Sequence, residues 1–243
     1  MTKTKIVGDL IIGIHPIAEL LKAKQRKLHA IYTTKPTPRG WDTIQKLIPP
    51  SIQIHYVPRD ALHRMAGTPD HQGVIAYAQS FPYRKKPFEP EKQKFLILLD
   101  SIQDPRNVGA ILRSAYCTGV DGVVLCHKES APLNATALKA SAGLAEHLSI
   151  RLVTSADHAA QELKQAGYTL YLAAFGGENA YTHTFKQPCC IVIGNEATGI
   201  TKSLFNYGTQ ITLPQRTADI SYNASVAAGI LLFLVATQQK RIL

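Results

Sequence analysis

The sequence has few cysteines and no pattern that would put them to use. Its four, Cys117, Cys126, Cys189 and Cys190, form no C-x-x-C pair, and three lie within apolar strand or helix patterns. That argues against a disulfide frame or a zinc site and predicts buried free thiols in a reduced compartment. Long hydrophobic runs are also missing: the longest, Val226 to Ala236, is far shorter than the ~20 residues needed to cross a bilayer. The opening Met-Thr-Lys-Thr-Lys leads into residues 6–14, where Gly8 and Asp9 make a poor signal peptide. The expectation is a cytoplasmic protein with no membrane partner. There is no G-x-G-x-x-G, hence no standard dinucleotide or Rossmann-type methyltransferase loop, and no G-x-x-x-x-G-K-[ST]. No catalytic Cys/His or Ser/His/Asp arrangement, internal repeat or low-complexity segment is visible. His15 and His71 stand isolated beside Gly and Gln, and no metal is expected.

Acidic residues are scarce as well, with 17 Asp+Glu against 27 Lys+Arg in 243 residues. The excess is uneven: residues 1–94 carry 16 basic against 7 acidic side chains, and residues 95–243 carry 11 against 10. A basic first part on a near-neutral second part suggests that the first holds a polyanion and the second does something else.

The pattern along the chain predicts two α/β units. In the first, a helix spans Gly13–Leu28 with cations at its far end, where they suit the helix dipole. Strands follow at 30–33, 52–57 and 74–78, and a helix at 41–47 carries Trp41 as a core residue. Residues 80–94, with Pro82, Pro87, Pro90 and five Lys/Arg, show no apolar periodicity and read as a linker between domains at 1–79 and 95–243. The second unit has short, fully apolar strands at 95–99, 122–125, 150–153, 169–174, 190–193 and 210–213. Between them lie helices at 107–118, 135–144, 155–166 and around 200–206, and a long apolar helix over 223–239 closes the chain. Such alternation means a parallel sheet covered on both faces. The stripe Val226, Ile230, Leu231, Leu234 on the last helix is core or dimer interface.

Chemistry would be placed where strands of such a sheet end at their carboxyl termini. After Phe95–Leu99 come Asp104, Pro105, Asn107 and Arg113. Capping explains the first three; it does not ask for Arg113 within the apolar face Val108, Ile111, Leu112, Ala115. After Cys190–Ile193 comes Gly194-Asn195-Glu196-Ala197-Thr198-Gly199, glycines that permit unusual backbone angles around one carboxylate. After Gln210–Leu213 come Pro214 to Asp219 and then Ser221-Tyr222-Asn223-Ala224-Ser225, in which Ser221 and Asn223 are good helix caps. Three polar loops at the ends of neighbouring strands would converge in space.

Asp104-Pro-x-Asn107-x-Gly109-x-x-x-Arg113, Gly194-Asn-Glu196-x-x-Gly199 and Ser221-x-Asn223-x-Ser225-x-Ala227 resemble, in order and separation, the three motifs of the SpoU/TrmH-type ribose 2′-O-methyltransferases of the SPOUT superfamily. Gly13-Ile14-His15, His71-Gln72-Gly73-Val74-Ile75-Ala76 and Leu133-Asn134-Ala135-Thr136-Ala137 extend the likeness over nearly the whole chain, toward the bacterial 23S rRNA guanosine-2′-O-methyltransferase branch. Two departures stand out: Tyr222 replaces a usual Leu, and Asp219 puts a charge in a normally uncharged segment.

The resemblance implies a catalytic domain with a trefoil knot, an L30e-like N-terminal domain that binds RNA, and a homodimer using S-adenosylmethionine. The cofactor pocket would be lined by Ala174, Gly194, Gly199, Leu213, Tyr222 and Ala224. The catalytic set would be Asn107, Arg113, Glu196, Ser221 and Asn223. In that set Arg113 would hold a phosphate or the 2′-oxygen, oriented by Asn107 and Asn223. Glu196 would pair with a cation or shape its loop, and Ser221 would bond the ribose or cap its helix. The target would be RNA, since only RNA offers the 2′-hydroxyl, in 23S rRNA or an assembling large subunit. The alternatives are a tRNA ribose methyltransferase, whose usual extensions are shorter than this first unit, and a catalytically silent RNA-binding factor of the same fold.

Overall fold

A computed structural model describes residues 8–217 and 220–242. Asp219 and the opening residues 1–7 lie outside them. The chain divides into two compact units. One comprises residues up to Pro82 together with Leu133–His147, and the other comprises Tyr83–Pro132 together with the chain from Leu148 on.

The first unit is built on β1 (Asp9–Ile12), α1 (Ile14–Ala23), β2 (Leu28–Thr33), α2 (Trp41–Gln45), β3 (Gln53–Tyr56), α3 (Arg59–Ala66) and β4 (Val74–Ala78). Its sheet runs β1-β4-β2-β3, antiparallel except for the β2–β3 pair. Trp41 is 4% exposed, as expected of a core residue. Strand β1 and helix α3 were not foreseen. The first is only four residues long, and the second reads as polar apart from Leu62, Met65 and Ala66, of which Leu62 and Ala66 are buried against Ile12 and Ile75.

In the second unit β5 (Phe95–Leu99), α4 (Pro105–Cys117), β6 (Gly122–Cys126), β7 (Ile150–Val153), α6 (Ala156–Gln165), β8 (Thr169–Asn179), β9 (Cys189–Ile193), β10 (Gly208–Thr212) and α7 (Ala224–Gln238) form the expected parallel architecture. Helix α5 (Ala135–Ala140) belongs to the first unit. The six strands order as β10-β8-β9-β5-β6-β7, all parallel. Strands β5, β6 and β9 are buried at every position, because each has neighbours in the sheet and cover on both faces.

Two boundaries differ from the sequence reading. Residues 83–94 are not a free linker: Phe88 is 2% exposed within the second unit's core, and the Arg84 N–H bonds the Ile150 carbonyl at 2.7 Å. One buried aromatic anchors a stretch that has no periodicity to reveal it. Residues 133–147, expected in the catalytic domain, pack with the first unit instead. Ala137, Leu138 and Ala145 are fully buried there, and Glu146 pairs with Arg26.

Cys126, Cys189 and Cys190 are buried and Cys117 is exposed. Burial pushes the Cys126 thiol up to about 12 and Cys189 up to about 11, and it raises fully enclosed Cys190 as well. Thiolate is the reactive form. A native-state titration with Ellman's reagent should therefore modify no more than one thiol per chain, lost in Cys117→Ser. The other three should react only on unfolding, and a second fast thiol would contradict this packing. Among the described residues, no helix is long and apolar enough to cross a membrane, and no group of three or more His, Cys, Asp or Glu could hold a metal ion.

Candidate active site

Three strand ends of the second unit meet in one hydrogen-bonded set. Helix α4 starts where β5 has ended: the Asp104 carboxylate accepts the Arg106 N–H at 2.8 Å and Pro105 occupies the first turn. This places Asn107 on the first exposed turn. Its Nδ2 donates to Glu196 Oε1 at 2.5 Å, and its Oδ1 accepts from Asn223 Nδ2 at 3.2 Å. A carboxylate can only accept, so Glu196 fixes which way the Asn107 amide points. Asn223 in turn caps α7, with its Oδ1 accepting the Ser225 N–H at 2.9 Å. One residue from each motif is thus joined through the Asn107 amide. The three strands are not all neighbours, however: β8 and β9 separate β10 from β5, and β10 is an edge strand with only Ile211 buried.

The loop after β9 is held shut by its own backbone. Asn195 and Gly199 exchange both N–H···O bonds, at 3.0 and 2.9 Å. The Asn195 side chain accepts from the N–H groups of Ala197 and Thr198 and donates to the Ser101 carbonyl at 2.7 Å. Gly199 has a φ of +73°, in the left-handed region, as the glycine-flanked pattern predicted. Gly194 is required for a different reason, since a Cβ there would lie 2.4 Å from the Gly199 carbonyl carbon and the Ile200 nitrogen. Gly194→Val should force the loop open. Binding of S-adenosylhomocysteine, measured by calorimetry, should weaken by roughly tenfold or more, with the sheet intact by circular dichroism; unchanged affinity would refute this role for the loop. Asn195 and buried Asp100, whose carboxylate accepts the Thr201 N–H at 2.7 Å, build the loop and had no role assigned from sequence. The signal for Asn195 was its place between the two glycines.

Strand β8 carries the third wall. Its ladder with β10 pairs Leu172 with Gln210 and then Glu178 with Ile211, so residues 173–177 form an unpaired bulge within β8. Thr212 ties this bulge down: its Oγ1 donates to the Ala174 carbonyl at 2.5 Å and accepts the Gly177 N–H at 2.7 Å. Gly194, Gly199 and Leu213 thus lie on loops at the carboxyl ends of β9 and β10, and Ala174 lies on the stretch of β8 that Thr212 ties down. Ala224 is buried at the start of α7, and the Tyr222 hydroxyl donates to the Pro214 carbonyl at 3.3 Å. Tyr222 is therefore accommodated by reaching across its own loop.

Two of the anticipated residues stand apart from the set. Arg113 is exposed, not within the apolar face of α4, which the buried Val108, Ile111, Leu112 and Ala115 complete without it. Among the described residues it has no hydrogen-bond or ion-pair partner, and the Asn107 and Asn223 amides are engaged elsewhere instead of orienting it. Ser221 is likewise exposed and unpartnered among the described residues; Asn223 is the cap. Among the described residues Glu196 meets an amide and no cation.

The SpoU rRNA Methylase family model matches residues 94–233, and a model described as RNA 2′-O ribose methyltransferase substrate binding matches residues 10–84. A putative TrmH family tRNA/rRNA methyltransferase of Bacillus subtilis is 33% identical over 239 residues, covering 93% of this chain and 94% of the relative. One from Staphylococcus aureus is 32% identical, covering 97% and 96%. Among solved structures, the SpoU methyltransferase AviRb of Streptomyces viridochromogenes superposes with a TM-score of 0.81, covering 96% of this chain and 90% of that one. At 19% identity this likeness speaks for the fold. The family model and the full-length relatives show the rest: the chain belongs to the SpoU rRNA methylase family.

Proposed function

We propose that this protein methylates the ribose 2′-hydroxyl of a nucleotide in 23S ribosomal RNA, a guanosine, with S-adenosylmethionine as donor, and that it acts as a homodimer in the cytoplasm. The observation that carries this reading is the Glu196–Asn107–Asn223 set, which joins the three family motifs in one place. It argues against a catalytically silent factor, in which nothing would maintain that convergence.

The three loops fit the cofactor. They offer backbone groups and small side chains at strand ends, and the close approach of Gly194 to Gly199 and Ile200 sets the shape of one of them. Ala174, Gly194, Gly199, Leu213, Tyr222 and Ala224 would hold it. When bound, S-adenosylmethionine supplies an electrophilic sulfonium methyl.

The remaining chemistry falls to the chain's own groups. Arg113, with no hydrogen-bond or ion-pair partner among the described residues, is available to hold the RNA phosphate and to meet charge developing on the 2′-oxygen. A guanidinium hardly deprotonates in proteins, so it does not act as the base. Asn107 spends its amide on Glu196 and Asn223 and serves as a positioning residue for the loops. Ser221, free of capping duty, is left to bond the ribose.

The unit that includes residues up to Pro82, with its basic excess, supports rRNA over tRNA as the target and serves to hold the RNA. Helix α7 supports the dimer: it is apolar nearly all round and leaves Phe233 56% and Val226 48% exposed. Phe233→Glu should shift the sedimentation of a dimer to that of a monomer. Mapping 2′-O-methyl groups in rRNA with and without the gene tests the main reading, with loss of one methylated guanosine expected. Calorimetry with S-adenosylhomocysteine should saturate without RNA; silence at millimolar ligand would promote the silent factor.

A further inference from the structure

The first unit contains a cleft of 410 Å³ that none of the roles above uses. It opens between the end of α1, the starts of β2 and β3, and Gln79 just past β4. Leu20, Leu21, Leu28, Pro49 and Ile52 supply its apolar lining, and Lys24 and Lys27 line it as well. No Asp or Glu lines it among the described residues.

The two lysines are presented differently from their neighbours. Lys22 is spent on Glu19 at 2.7 Å. Arg26 turns inward: its guanidinium bonds Glu146, Asp9 and the Gln79 carbonyl, and its side chain is 1% exposed. Lys24 and Lys27 are exposed and have no ion pair among the described residues. The turn that carries them is fixed. Lys24 caps α1 in the left-handed conformation, buried Arg26 anchors the middle, and Lys27 exchanges bonds with Gln79, N–H to Oε1 at 3.1 Å and carbonyl to N–H at 2.8 Å. Two cations on a rigid turn beside an apolar slot are a preorganised arrangement for a ligand with a flat apolar body and anionic flanks.

On the reading of the protein as an RNA enzyme, on which this inference rests, we propose that the cleft binds one unpaired nucleotide of the RNA substrate. The base would lie against the apolar lining, with the adjoining phosphates on Lys24 and Lys27. The volume lies within the roughly 300–1,000 Å³ of small-ligand sites, the size of one nucleotide and too small for a duplex. Bases in an A-form helix are not offered to such a slot, so the occupant comes from a loop, bulge or end. The catalytic loops belong to the other unit, so we assign this nucleotide a part in setting which RNA is held and none in the methyl transfer itself.

The test uses the full-length protein labelled with ¹⁵N. GMP, AMP, UMP and CMP should give saturable shifts at the amides of Gln25, Lys27, Ile52 and Gln79, with a preference among the bases. Ribose 5-phosphate and hexaglutamate should act at least several-fold more weakly. Equal responses would mean that charge alone is recognised and would overturn the nucleotide assignment in favour of a generic or acidic-peptide surface. Ser51→Trp, at an exposed lining position, should abolish the shifts. It should also weaken binding of protein-free 23S rRNA roughly tenfold, the scale of losing one base contact, with the salt slope unchanged. The pair Lys24→Gln and Lys27→Gln should instead lower the slope of log K against log salt by about 1–2. S-adenosylhomocysteine affinity should stay at the wild-type value in every variant. Variants that bind and methylate RNA like an active wild type would overturn the cleft alone. A wild type that methylates no RNA would overturn the underlying reading and the cleft with it.

Discussion

Arg113→Ala should lower methyl transfer to RNA by roughly 10²-fold or more, the scale of losing one electrostatic partner of the developing charge. The reacting hydroxyl must shed its proton, and the charge left on oxygen has to be met by a nearby cation. In the second unit the groups that converge on the site are amides and one carboxylate, and Glu196 is the wrong sign for that task. Arg113 is a cation on the same helix as Asn107, exposed and unpartnered among the described residues. An exposed side chain with no hydrogen-bond or ion-pair partner among the described residues can be removed at little expense in stability, so circular dichroism, sedimentation and S-adenosylhomocysteine affinity should all match wild type. Arg113→Lys should recover little, because a point charge does not reproduce the planar fork that grips phosphate and oxygen together. A lysine variant near the wild-type rate would show that charge alone matters. An alanine variant near that rate would remove Arg113 from the mechanism.

The second unit was legible because its signals are local and strong. Phe95–Leu99 is apolar at every position, which only a strand covered on both faces tolerates, and Asp104-Pro105 announces the helix that follows. The convergence of Asn107, Glu196 and Asn223 could be anticipated from strand-end placement, but the bonds among them could not. Arg113 was misplaced because a spacing count shows a residue near an apolar stripe and not which flank it occupies: Ile111 and Leu112 complete the stripe, and the next residue points away. The bulge of β8 at residues 173–177 depends on Thr212, more than thirty residues later, and the requirement for Gly194 depends on how close the returning chain passes. The docking of residues 133–147 on the first unit was invisible for the same reason. Its anchor pairs Glu146 with Arg26, 120 residues away. A cut at residue 94 would therefore strip buried Ala137 and Leu138 of their partners, so the two units are better tested by point changes in the whole chain.

The largest expected loss of stability follows from that anchor. Arg26 Nε donates to Glu146 Oε2 at 3.0 Å and Nη2 to Oε1 at 2.5 Å, and both side chains are 1% exposed. Nη1 reaches Asp9 at 2.7 Å, and the same Asp9 oxygen accepts the Phe81 N–H. Burial pushes the Glu146 carboxyl above the ordinary carboxylate range against the pull of the guanidinium. Such a pair adds little over an apolar pair of the same shape, but breaking it leaves a buried cation short of its partner, at about 3–5 kcal/mol. Glu146→Ala should destabilise the first unit by that amount. Arg26→Met with Glu146→Leu should recover most of the loss, and Glu146→Gln should fall between. The measurement has a built-in reporter: Trp41 is the chain's one tryptophan and is buried in this unit, so urea titration followed by its fluorescence reads this unit's unfolding. Trypsin should also cut after Lys139 sooner in the alanine variant, since that lysine, which donates to the Asp70 carbonyl, sits on the segment the pair secures. A loss below about 1 kcal/mol would place the pair among the many ion pairs that contribute nothing measurable. The hold on residues 133–147 would then be assigned to Ala137, Leu138 and Ala145 alone.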